Sequence, residues 1–273
     1  MSDAQTEDSL EAVYETRQPF DLSDDVKAKV DELNLGDAVE QVRRDGYGYI
    51  HDAQTIEFTE RLRETIIRLC GEGNSTDVLL PKDPIFEEVV LNPKILTMVE
   101  ILCGKGAMLS QMLGSILTKE TDGGLGGLHA DQNWTPAPFP VHNQIATFCW
   151  ACDEFTEEGG ATRVIPESQH HRRHPSPQES AEAKGAISTN CPAGSIVFWD
   201  GAVWHDAGRR SIEGKRVVLR VNYSRLAMRP VQNYDFLDEQ WLEGKPYEMR
   251  VLLGREDFLD NPGGSANLDN KKV

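Results

Sequence analysis

The chain lacks several things, and each absence narrows what it can do. No apolar run approaches the length of a membrane span. The opening "MSDAQTEDSLEAVYE" has neither the basic nor the apolar region of a secretory leader, so a cytoplasmic protein is expected. Basic residues are scarce: 28 Lys and Arg face 45 Asp and Glu, a formal net charge of −17. That excess repels phosphate backbones and anionic bilayers, so nucleic acid and membrane are not expected partners. Five cysteines are too few and too odd in number for a disulfide framework. The only C-x-x-C, Cys149 and Cys152 in "FCWACD", has no second copy to complete a zinc site. It also lies in a strand-like run, where an odd separation sends the two thiols to opposite faces. No internal repeat and no linker interrupts the 273 residues.

What is present is a soluble composition, 39% apolar and 27% charged, of a size one main core can support. Eight of the first 25 residues are acidic against one arginine, so residues 1–23 are expected to form an acidic flexible tail and 24–273 a single domain. Oligomeric state is not encoded legibly; a homo-oligomer is compatible with the chain.

The first third has helical spacing. Val26, Val30, Leu33 and Leu35 predict a short helix that Ser23 can cap. Ile56, Leu62, Ile66 and Leu69 predict a second, ending at glycine. In "NPKILTMVEILCG", Asn92 is placed as N-cap, Pro93 in the first turn and Gly104 beyond the last. From about residue 107 the pattern changes to short β-type runs separated by Gly and Pro: "AMLSQMLGSILTKE", "QIATFCWACDEF", "GATRVIP", "GAIST", "GSIVFWD", "AVWHDAG" and "RVVLRVNYS". Many short strands without intervening helices point to a sandwich or barrel.

Within that β region, "GLHADQNW" sets His129 and Asp131 two residues apart behind the glycine-rich "TDGGLGG". On a strand both would share a face, where they can grip one metal ion or simply hydrogen-bond to each other. Of the seven histidines, His205 is distinguished by following the apolar "GSIVFWDGAVW". His170, His171 and His174 crowd a charged loop and read as surface residues. Eleven residues beyond His205, Arg216 opens a strand in which Arg216, Val218, Arg220 and Asn222 share one face and Val217, Leu219 and Val221 the other. Two arginines on one strand face require an anion or an exposed surface.

His129, Asp131, His205 and Arg216, in this order and spacing and with "GATRVIPESQH" between, resemble the phytanoyl-CoA dioxygenase family of iron(II)/2-oxoglutarate oxygenases. The likeness runs from about Gln111 to Tyr223. It implies a double-stranded β-helix, the cupin-like jelly-roll, with N-terminal helices packed outside. It implies His129, Asp131 and His205 as the metal-binding and catalytic set, with Fe(II), 2-oxoglutarate and O2 as cofactor and co-substrates. Two imidazoles and a carboxylate on one face of Fe(II) leave three positions open, enough for a chelating 2-oxo acid and dioxygen. The far carboxylate needs a forked cation, which Arg216 supplies. Thr162 matches a position that assists it, and Gln111 is a candidate for the near end. Retention of Asp131, which related halogenases replace by a small residue, favours oxygenation. The chain departs from the family in "PESQH", where "PGSH" is frequent, and in Arg210, where Asn is common.

The expected activity is hydroxylation or another oxidation of a mostly apolar small molecule, coupled to conversion of 2-oxoglutarate to succinate and CO2. Trp134 and Phe139, on the proline-rich "QNWTPAPFPVHN", and Met112 are candidates to line the substrate site. Nothing provides a clustered basic site for the phosphates of an acyl-CoA. Three alternatives remain at this level: a cupin-type isomerase, lyase or hydrolase using the same three ligands without 2-oxoglutarate; a non-catalytic jelly-roll binding module; and a thiol enzyme built on Cys149, against which the strand period argues.

Overall fold

A computed structural model of the chain describes residues 18–121 and 127–255. The greater part of the expected acidic tail and five residues of the glycine-rich approach to His129 lie outside the described residues. The last residues of that expected tail do belong to the domain, because Phe20 and Leu22 pack on the main core.

Helices come first, as their spacing predicts. α1 (Asp24–Glu32) buries Val26 and Val30; the Ser23 side chain makes no capping bond. α2 (Gly36–Asp45) follows and ends on Gly46 at φ 79°, a left-handed position that favours glycine. β1 (Tyr47–Ile50) comes next. α3 (Ile56–Cys70) is capped by Thr55, which accepts from the Phe58 N–H, and buries Phe58, Leu62, Ile66 and Cys70. Leu62 and Ile66 are fully buried, each worth about 1.5–3 kcal/mol of transfer free energy. Ile56 is exposed, so the buried stripe begins two residues later, at Phe58. After β2 (Ser75–Asp77) and the short α4 (Ile85–Val90), α5 (Pro93–Cys103) starts with Asn92 accepting from Lys94 N and Ile95 N.

The remaining strands are β3 (Met108–Leu117), β4 (Ile145–Ala151), β5 (Thr162–Val164), β6 (Ile187–Ser188), β7 (Ile196–Asp200), β8 (His205–Ala207) and β9 (Arg216–Ser224). They form a six-stranded sheet in the order β1-β7-β4-β9-β3-β2 and a three-stranded sheet in the order β6-β5-β8, antiparallel throughout. This is the expected jelly-roll, mainly β with helices outside. Strand alternation gives the larger sheet two unlike faces. Phe148, Trp150, Ile196, Phe198, Val217, Leu219, Val221 and Tyr223 join the helices in one core. Cys149, Ala151, Val197, Trp199 and Val218 turn the other way, into a second core with Val164 of the smaller sheet. The two thiols of the C-x-x-C part as expected, Cys149 into the inner core and Cys152 into the outer one.

Candidate metal centre

His129 and His205 are paired across an isolated antiparallel bridge, each backbone N–H donating to the other's carbonyl at 3.0 and 2.9 Å. That bridge brings the loop carrying Asp131 against the end of β8. The ligand atoms of His129, Asp131 and His205 consequently lie within 4.8 Å of one another. Asp131 Oδ1 stands 3.9 Å from His129 Nε2 and 3.6 Å from His205 Nε2. The Nδ1 of His129 is 3.2 Å from the Gly127 carbonyl and that of His205 3.0 Å from the Val203 carbonyl. A carbonyl only accepts, so each Nδ1 carries the proton and each Nε2 presents a lone pair to the centre. The same arrangement orients imidazoles in metal sites.

The carboxylate is divided between two tasks. Oδ2 accepts from the Thr147 hydroxyl at 2.6 Å and from Trp199 Nε1 at 3.1 Å. Asn222 Nδ2 in turn donates to Thr147 at 2.6 Å, so strands β4, β7 and β9 all position Asp131. Oδ1 is left facing the two imidazoles. Burial pushes the Asp131 carboxyl up, but His205, the Thr147 hydrogen bond, Arg220 and His129 together outweigh it, and the group is held below the usual carboxylate range. Burial lowers His205, with Asp131 opposing, so its imidazole stays neutral. Both are the protonation states that metal ligation needs. The site opens to solvent on one side: the His129 side chain is 31% exposed, that of His205 4%.

Arg216 lies on the inner face of β9, overturning the exposed-surface alternative for it. It is buried, donates through Nη1 to the Gly160 carbonyl, and stacks 4.8 Å above Phe155. Burial lowers it to about 10, so it remains a cation at neutral pH. Thr162 is buried on β5, two residues from the inner-core Val164. Gln111 is half-buried opposite Asn222, after a bulge in β3.

The residues expected at the substrate site are not brought together. Met112 lies in the helix-facing core, because alternation turns it away from its neighbour Gln111. Phe139 is fully buried in a small cluster with Leu128, Ala130, Ala202 and Trp204, whereas Trp134 is 86% exposed. His170, His171 and His174 are exposed, as expected. Arg210 ties its own loop down, donating to the Gly159 and Glu213 carbonyls at 3.2 and 2.6 Å. Cys149 is no nucleophile: burial pushes its thiol up to about 12 despite Arg220 and Arg216.

Thr147, Trp199 and Asn222 escape motif reading, since they make no local pattern with the ligands. Register alone reveals them: Thr147 pairs with Trp199 on one side and Asn222 on the other.

Comparison with known proteins agrees with this geometry. The family model "Phytanoyl-CoA dioxygenase (PhyH)" matches residues 34–217. Uncharacterized protein Rv1501 of Mycobacterium tuberculosis is 28% identical over 202 residues, 72% of each chain. The structure of HygX from Streptomyces hygroscopicus with nickel and 2-oxoglutarate bound superposes with a TM-score of 0.60 at 16% identity, covering 71% of this chain and 89% of that one. That of the non-heme alpha-ketoglutarate-dependent epimerase SnoN from nogalamycin biosynthesis gives 0.58 at 19%, covering 78% and 89%. The three converging side chains, the jelly-roll that presents them and the span of the match lead to one assignment: the chain belongs to the phytanoyl-CoA dioxygenase (PhyH) family.

Proposed function

We propose that the protein is an Fe(II)/2-oxoglutarate-dependent oxygenase that hydroxylates or otherwise oxidises a small, mostly apolar molecule. One observation carries the reading: two imidazole nitrogens and a single carboxylate oxygen converge within 4.8 Å on the inner wall of a barrel that also holds a buried guanidinium. The donor set fits iron, because Oδ1 of Asp131 is free to bind while Oδ2 is already held by Thr147 and Trp199. Iron held there supplies dioxygen activation coupled to oxidative decarboxylation of 2-oxoglutarate to succinate and CO2.

The chain's own residues do the positioning. His129, Asp131 and His205 would hold the ion, and as only three protein ligands they would leave positions for the 2-oxo acid and dioxygen. Arg216 would receive the far carboxylate, with Thr162 on the facing sheet assisting it, and Gln111 would contact the near end. The low exposure of His205 excludes water from the deep side, and the exposed edge at His129 admits substrate. Similarity to an epimerase dependent on the same co-substrate supports stereochemical inversion as a second outcome at the same centre.

The test is anaerobic titration of the metal-free protein with Fe(II) followed by 2-oxoglutarate. A weak visible charge-transfer band that is lost in His129→Ala is the expected result. Iron binding without such a band sinks the proposal and leaves a redox-inactive cupin-type enzyme.

A further inference from the structure

The inner face of β9 carries two guanidiniums, and they are not equivalent. Arg216 is buried, bonded to Gly160 and stacked on Phe155. Arg220 is half-buried, forms no hydrogen bond or ion pair among the described residues, and keeps a buried Nε without a partner. Its cross-strand neighbours, Leu113 and Cys149, offer no oxygen acceptor on their side chains. Arg220 is also the arginine close to the metal ligands. Cys149, its cross-strand partner on β4, is two residues from Thr147, which donates to Asp131. Two residues beyond Arg220, Asn222 joins the Thr147–Asp131 chain; four residues the other way, roughly 13 Å along the strand, stands Arg216.

A cation held without a partner in a partly buried site costs stability unless an anion arrives. On the function proposed above, which this inference rests on, the arriving groups can be counted by charge. Iron(II) and 2-oxoglutarate would cancel, and Asp131 offsets only one of the two guanidiniums. One positive charge is left over, and because Arg216 would be engaged by the far carboxylate it falls to Arg220, half-buried and two residues from Asn222 on the inner face of β9. Leu113 flanks it with apolar surface. We infer that Arg220 is a specificity-determining residue that binds a single carboxylate of the substrate, which is therefore a small monoanionic organic acid with an apolar body.

The experiment uses the whole chain loaded with Ni(II) and 2-oxoglutarate and follows, by calorimetry, the binding of acetate, hexanoate and benzoate beside their neutral amides. Carboxylates are expected to bind and amides to bind at least about tenfold more weakly, the scale of one charge-assisted fork. In Arg220→Gln that preference disappears, while 2-oxoglutarate affinity changes less than about threefold. Equal binding of acids and amides by the parent protein, or no binding of any carboxylate, overturns the inference. So does a loss of 2-oxoglutarate affinity in Arg220→Gln that spares 2-oxobutyrate, which has no far carboxylate; Arg220 would then serve the co-substrate. Arg220→Met in the ligand-free protein supplies an independent check. Its Tm should rise, because an unpartnered cation is removed; a fall of several degrees assigns Arg220 a structural task and refutes the proposal. Failure of the underlying function shows separately, as absence of the Fe(II)·2-oxoglutarate band in the parent.

Discussion

The two faces of the six-stranded sheet are built from the same strands and do opposite work. Along β9, Val217, Leu219, Val221 and Tyr223 enter the helix-packed core, while Arg216, Arg220 and Asn222 face the smaller sheet with Val218. The outer face is apolar and packed against the helices, with Trp150 Nε1 among its few buried polar atoms left without a partner. The inner one keeps guanidiniums, an amide and a carboxylate with orphaned atoms, among them Arg216 Nε, Arg220 Nε and Asn222 Oδ1. Each orphan costs folding free energy. The outer face therefore supplies the stability that the inner face spends on a ligand site, and changes to the two should separate cleanly into effects on folding and on binding.

The largest effect is expected from Asp131→Ala, which removes one of three ligands and the only charged one. Iron binding and coupled succinate formation should be lost, while circular dichroism and cooperative unfolding persist. Retained turnover would remove Asp131 from the ligand set. Next comes Leu219→Ala on the outer face, a fully buried side chain whose deletion costs about 2–5 kcal/mol. Urea unfolding should show that loss with iron affinity at the folded protein unchanged. If iron affinity falls with it, the faces are coupled and the separation is wrong.

Thr147→Val sharpens the contrast from inside the site. The shape is kept, but Asp131 Oδ2 loses its shortest hydrogen bond and Asn222 its acceptor. Removing such a supporting partner lowers metal affinity by about 10–100-fold. A competition titration with a chelator measures it; an unchanged affinity would mean that Trp199 alone orients the carboxylate.

These contrasts also explain what could be read from the sequence. Period-two alternation in "RVVLRVNYS" separates Arg216, Arg220 and Asn222 from the core-forming positions before any coordinates exist, and it parts Cys149 from Cys152. The same rule, applied to "SQMLG", places Met112 opposite to Gln111 and so away from the metal, a consequence the aromatic and thioether composition of a substrate site obscures. Asn92 caps its helix as its local chemistry predicts, whereas Ser23 sits in cap geometry and makes no capping bond, and Thr55 caps a helix for which the sequence analysis names no cap. Phe139 and Trp134, five residues apart, part company because the loop chooses which aromatic to bury, and loop path is a tertiary property. Thr147 and Trp199 are invisible for a related reason: only strand register brings them to Asp131.

A buried aspartate and a half-buried one make the last comparison. Asp131, beside two imidazoles and with two side-chain donors, is held low; Asp200, at the end of β7, accepts from the Ala202 N–H at 2.7 Å. Burial pushes Asp200 up to about 6, the backbone hydrogen bond opposing it only in part. The native chain thus binds this proton below about 6, the unfolded chain only below about 4. Between those values the native state holds more protons, so the parent loses stability as pH rises through the window and stays lower above it. Asp200→Asn keeps an oxygen for Ala202 and removes the charge. The variant should match the parent near pH 4 and exceed it at pH 7 by on the order of 1–2 kcal/mol, after allowance for partial exposure. Urea melts at pH 4, 5, 6 and 7 read this directly. A variant less stable than the parent at pH 7 would show that ionised Asp200 has a cationic partner, and that burial alone does not distinguish it from Asp131.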